Sequence, residues 1–152
     1  MAEFAPDVLV SQHGCDSHLL DPLAHLGLTV DAQAASYRAL HELAHRHAGG
    51  RWLATGGGGY ELSEVVPRAW THLLAEATGA AVPPGTEVPA EWQTYVTSTY
   101  GLQAPTRMTD GGTTVWRSWS EGYDPADAVD RAVLATQRAV FPPHGLGGLL
   151  DL

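Results

Sequence analysis

The sequence predicts an α/β fold built on a pair of parallel strands. Three observations carry this. Two short apolar runs, residues 7–12 and 51–55, each lead into a glycine-containing loop. A helical pattern lies between them, long enough for the crossover that parallel strands need. A second helical pattern follows the second run. Strand–helix–strand order of this kind nearly always makes a right-handed parallel unit. Both strands then end on the same side, where open parallel sheets place ligands. Loops 16–21 and 56–60 are therefore expected close together.

The first run, Asp7-Val8-Leu9-Val10-Ser11-Gln12, starts after Pro6 and stops at His13-Gly14. Its continuous apolar character predicts a strand buried on both faces. A polar loop, residues 16–22, leads to an apolar stretch ending at Leu28-Thr29. A helix follows, capped by Thr29 or Asp31 and ended by Gly49-Gly50. Tyr37, Leu40, Leu43 and Ala44 share one of its faces. Arg51-Trp52-Leu53-Ala54-Thr55 makes the second strand and runs into Gly56-Gly57-Gly58-Gly59-Tyr60. The second helix covers about residues 63–77, with a stripe of Trp70, Leu73, Leu74 and Ala77. Pro67 fits it only in the first turn.

Pro83-Pro84 and Pro89 then break the chain. A short helix is expected over 90–99 and a loop over 101–122, with Trp116 and Trp119 against the body. In the last helix Asp124 is the expected N-cap, Pro125 the first helical residue, and Asp127 a favourable charge for the helix dipole. It stops at Phe141-Pro142-Pro143. The reading takes 1–143 as one domain or part of one and 144–152 as a flexible tail.

Composition narrows the function classes. The net charge of -9 and the arginine-only basic set lack the basic footprint of a nucleic-acid binder. They also argue against an anionic membrane surface as partner. No apolar run approaches the ~18 residues of a membrane span. Met1-Ala2-Glu3 does not open a signal peptide, so a cytoplasmic protein is expected. The single cysteine, Cys15, excludes an internal disulfide and a cysteine-based zinc site.

Several residues could carry chemistry. Asp16 and Asp21 suit either a metal-binding loop or ordinary turn capping. The four glycines before Tyr60 lack the Lys-Ser/Thr of a phosphate loop. They suit close backbone approach, with the Tyr60 hydroxyl free to stabilise an oxyanion. His41-Glu42-Leu43-Ala44-His45 fits the zincin pattern, with Glu64 downstream as a third ligand. Helical phase puts His41 and His45 at the edge of the apolar stripe, beside Arg38, Glu42 and Arg46, rather than in a cleft. Cys15 is a nucleophile candidate beside His13 or His18, or a small half-buried residue. No Gly-x-Ser-x-Gly elbow occurs.

The run from Phe4 to Ser17, then Asp21-Pro22-Leu23, Leu28-Thr29, the Gly56–Tyr60 run and Arg68-Ala69-Trp70, resembles the C-terminal part of the zinc-dependent histone deacetylase family. The bacterial acetoin-utilisation branch is the nearest resemblance. Gly122-Tyr123-Asp124-Pro125-Ala126-Asp127, Asp130-Arg131-Ala132, Ala139-Val140-Phe141-Pro142 and His144-Gly145-Leu146 extend it. The resemblance implies the C-terminal portion of the three-layer α/β/α arginase/deacetylase fold. It implies hydrolysis of an N-acetyl amide by a zinc-activated water. It makes Asp21 a zinc ligand and Tyr60 the catalytic residue that polarises the acetyl carbonyl. Leu28, Gly58 and Gly59 become substrate-binding, with Leu28 at the rim of the acetyl-lysine tunnel. The substrates implied are acetyl-lysine on proteins or small acetylated amines.

The family's His-His pair and Asp-x-His zinc ligands belong upstream of the matched region. The only Asp-x-His in question, Asp16-Ser17-His18, falls at the wrong place in the pattern. One carboxylate alone holds zinc poorly. The expectation is a C-terminal third that is inactive alone, or a subunit completing a split enzyme with a separately encoded N-terminal half. A zincin protease and a non-catalytic interaction module are the other readings.

Overall fold

The computed structural model describes residues 1–24, 26–83, 85–113 and 121–147. Two compact units divide the chain, Met1–Thr114 and Val115–Leu152.

The first unit holds β1 (Leu9–His13), α1 (Val30–Ala48), β2 (Trp52–Gly56), α2 (Val66–Ala77) and α3 (Ala90–Tyr100). The strands pair in parallel, from Leu9 opposite Trp52 to His13 opposite Gly56, as the sequence predicts. Helix α1 begins at Thr29, whose Oγ1 accepts the Ala32 N–H. It ends at Gly49, with φ 58°, a left-handed conformation that glycine adopts without strain. Leu9 packs against Ala44 and Ala48, with Leu40 and Trp52 closing the cluster. A second cluster joins Cys15, Val65 and Ala69, with Val66 alongside.

Burial of β1 on both faces is not observed. Leu9 and His13 are buried, but Val10 and its register partner Leu53 are 62% and 54% exposed. Alternate strand residues point to opposite faces, and α1 packs against only one.

Helix α2 also departs from expectation at its buried face. Pro67 does lie in the first turn. Yet the buried residues are Arg68, Ala69, His72, Leu73 and Glu76, while Leu74 is 67% exposed. Partners explain the polar ones. His72 Nε2 bonds the Met108 carbonyl at 2.7 Å, and Glu76 accepts from Arg38 at 3.0 Å. Of the expected stripe Leu73 is buried while Trp70, Leu74 and Ala77 are exposed, and the four line a groove of about 600 Å³ with Trp52 and Ala54.

The stretches that flank α3 pair with each other. Val88 N–H donates to Thr106 O and Met108 N–H to Thr86 O, an antiparallel clasp centred on Glu87 and Arg107.

The second unit contains α4 (Ala128–Val140) and a 3₁₀ turn, Pro142–His144. Its N-cap is Asp127, which accepts from Val129 and Asp130 N–H, and not Asp124. Asp124 forms the turn before the helix, accepting from Ala126 N–H at 2.8 Å. Two aspartates three residues apart compete for one cap, and the later one wins because Asp124 is already committed. Trp116, Trp119 and 148–152 lie outside the described residues.

Candidate functional site

The ends of β1 and β2 lead into two loops that interlock. The Cys15 N–H donates to Gly58 O at 2.7 Å. None of Gly56 to Gly59 has a positive φ, so conformational freedom is not why they are glycines. Space is. A Cβ on Gly59 would lie 2.5 Å from Cys15 Sγ and 2.9 Å from Val66 Cγ2. One on Gly58 would collide with the Asp16 carboxylate, and one on Gly57 with the Gln12 amide. The glycine run lets the second loop press onto the first.

Asp21 sits at this junction, only 3% exposed. Its Oδ2 accepts the Tyr60 N–H at 3.0 Å. Oδ1 accepts from Leu23 N–H at 2.9 Å and from Ala24 N–H. Burial works against ionisation here, but the N–H groups of Leu23, Tyr60 and Ala24, with His18 nearby, outweigh it. The carboxyl is therefore held below the usual aspartate range. The Tyr60 residue is 51% exposed. Leu28 is exposed; it forms an isolated parallel bridge with His18, and its N–H donates to Ser17 O.

Behind the loop lies a network that sequence reasoning missed. Leu20 N–H donates to His18 Nδ1 at 3.0 Å, so the Nε2 proton faces Asp110 Oδ2 at 2.8 Å. The other Asp110 oxygen pairs with Arg68 at 2.8 Å. Val30 N–H donates to Oδ2 as well. Burial again opposes ionisation of Asp110, and His18, the Val30 N–H and Arg68 reverse the sign, holding its pKa low. Arg68 is fully buried, donating also to the carbonyls of Glu64, Arg107 and Thr109. Trp70 donates its ring N–H to His13 O and covers Gly56. The Arg-x-Trp pair thus ties α2 to the end of β1 and to residues near 110. The Asp110-Gly111-Gly112 sequence signals a turn, but not its partners.

His18 is committed through both ring nitrogens and is not directed at Asp21. Cys15 is wholly buried, and burial, reinforced by Asp16 and Asp21, pushes its thiol up to about 11, which leaves it protonated and inert. The zincin pattern does not assemble either. His41 and His45 stack on one another along α1, but among the described residues no three His, Cys, Asp or Glu gather as a metal cluster, so Glu64 does not join them. No described helix is long and apolar enough to cross a membrane.

Comparison with known proteins agrees with this architecture. The family profile of the histone deacetylase domain matches residues 1–77, which covers both strands, both loops and α2. Acetoin utilization protein AcuC of Bacillus subtilis (strain 168) is 48% identical over 91 residues, 60% of this chain and 23% of its own. The AcuC of Staphylococcus xylosus is 38% identical over 114 residues, 72% of this chain and 28% of its own. That of Staphylococcus aureus (strain N315) is 36% identical over 89 residues, 59% of this chain and 23% of its own. The chain spans about a quarter of the length of the curated relatives it matches. With an α/β core, parallel strands and a domain profile over half its length, the chain belongs to the histone deacetylase family, close to the AcuC proteins.

Proposed function

We propose that these residues form part of the active site of a zinc-dependent deacetylase that hydrolyses N-acetyl amides, on lysine side chains or small acetylated amines, in the cytoplasm. The observation that carries the reading is the buried Asp21 carboxylate, bound by the Tyr60 N–H at 3.0 Å where two parallel strands end.

The donor chemistry suits one corner of a zinc site. Asp21 is an ionised oxygen donor, and Oδ2 accepts only one N–H, which leaves lone-pair capacity for a metal. When bound, zinc supplies Lewis-acid activation of a water molecule. The chain's own residues do the rest. Backbone donors fix the Asp21 carboxylate and keep it charged. The exposed Tyr60 side chain offers an O–H donor for the carbonyl oxygen as it becomes an oxyanion. Its N–H is tied to Asp21, so metal ligand and oxyanion donor share one anchor. Leu28 offers an apolar rim, and Gly58 and Gly59 leave the loop without side-chain bulk. A catalytic zinc takes about three protein ligands, so this reading assigns the others to sequence outside these 152 residues. The chain alone is then inactive.

The test joins the chain to, or co-expresses it with, a segment bearing the family's His-His and Asp-x-His motifs. Acetate release from an acetyl-lysine peptide is measured. Asp21→Asn and Tyr60→Phe should each lower kcat by ~10²-fold or more, the scale of a lost oxyanion donor. Turnover by the isolated chain, or an Asp21→Asn variant as fast as the wild type, overturns the reading.

A further inference from the structure

We propose that His41 and His45 form a second, independent metal site on α1, suited to Cu²⁺. The two Nε2 atoms lie 2.9 Å apart on adjacent turns. The proton positions follow from their partners. His41 Nδ1 is 2.6 Å from the Glu76 carbonyl oxygen, which can only accept. Its proton is therefore on Nδ1, and Nε2 presents a lone pair. Imidazole ligands of metals are held in this way, with the far nitrogen donating to a carbonyl or carboxylate. His45 Nε2–H now fills that lone pair. Exchange of the proton to Nδ1 through water frees a second lone pair facing the first, and rotation of the exposed His45 ring turns both toward one ion.

Ligand chemistry ranks the ions. Imidazole nitrogens suit copper, nickel and zinc, and affinity at such a site rises from Ni²⁺ to Cu²⁺ and falls again at Zn²⁺.

The surroundings hold the rings and leave the approach open. His41 lies over Trp52, with ring centroids 5.8 Å apart. His45 packs on Gly50, where a Cβ would sit 3.1 Å from its ring and where φ is 76°. A hollow of about 520 Å³, lined by Arg38, His41, Glu42, His45 and Arg46, opens to solvent for the remaining water ligands. The charge of Arg38 is met by Glu76 at 3.0 Å. The pair uses none of the residues in the deacetylase reading and stands if that reading fails.

Titrating the full chain with CuCl₂ in a non-coordinating buffer tests the site, read by calorimetry and by nitrogen hyperfine structure in the copper EPR spectrum. Cu²⁺ is expected to bind more tightly than Ni²⁺ or Zn²⁺, with two nitrogens in the copper spectrum. His45→Ala, at an exposed position, should weaken Cu²⁺ binding at least about tenfold, the scale on which even outer partners of metal ligands act. His47→Ala, on the same helix but outside the pair, and Asp21→Asn should both bind like the wild type. Wild-type affinity in His45→Ala, an equal loss in His47→Ala, or tighter binding of Zn²⁺ than Cu²⁺ overturns the proposal. Circular dichroism of each variant separates loss of the site from loss of the helix.

Discussion

At the rim of the strand pair, Asp21 is fixed by backbone donors from two different segments, and its loop is backed by His18, Asp110 and Arg68. On the outer side of α1, His41 and His45 meet because they are one helical turn apart. The first arrangement joins residues up to 92 positions apart, and each contact opposes chain entropy. The second needs only the helix and one carbonyl. Convergence from distant segments therefore demands glycines, a buried arginine and a complete set of partners. Local proximity demands almost nothing, and is correspondingly robust.

The comparison can be broken most forcefully at Asp110. Asp110→Ala leaves the Arg68 guanidinium buried without its carboxylate, which costs about 3 kcal/mol or more, or a Tm roughly 10 °C lower. Thermal melts read this, and metal binding at His41 and His45 should persist at temperatures below the new midpoint. A variant with unchanged stability would mean that the rim is not held from behind.

Glycine replacements give the next effect. Gly59→Ala drives a methyl into Cys15 and Val66 and should cost about 2 kcal/mol, within the range for overpacking. Gly27→Ala meets nothing within 4 Å and has no positive φ, so it should be neutral or slightly stabilising. Urea midpoints of the pair test whether close approach, rather than backbone freedom, selects glycine at 59.

Acid should loosen the rim. Asp21 and Asp110 both have folded pKa values below the ordinary range. Such groups contribute stability at pH above the unfolded value of ~3.9, and lose it as pH falls through the folded one. Stability should therefore decline below about pH 4, and Asp110→Asn should flatten that decline. Denaturant midpoints across that range check the sign. The smallest effect is at Cys15. With its pKa raised to about 11 and no exposure, it should resist a thiol reagent at mildly alkaline pH until the chain is unfolded.

What the sequence made readable was local. Thr29 and Gly49 announce the ends of α1, and two apolar runs leading into loops announce the parallel pair and the meeting of loops 16–21 and 56–60. The buried face of α2 was not readable, because Arg68 and His72 are buried by acceptors 36 to 42 residues away. Alpha-helical periodicity counts them as surface and counts Leu74 as core. The sequence pointed to Asp124 as the α4 cap; Asp127 takes that place because the turn before the helix holds Asp124. The roles given to Asp21 and Tyr60 came from family resemblance; their meeting at one junction came from topology.

Asp31 adds a consequence of its own. Its carboxylate accepts from the Thr109 hydroxyl and from the N–H groups of Asp110 and Gly112, fastening a late stretch of chain onto the start of α1. That stretch lies beyond the residues matched by the domain profile. A protease nick between α3 and Thr109 would thus act at a distance. Helical ellipticity would persist while the backing of the Asp21 loop slackened, so damage there would escape a helix signal and show only at that loop.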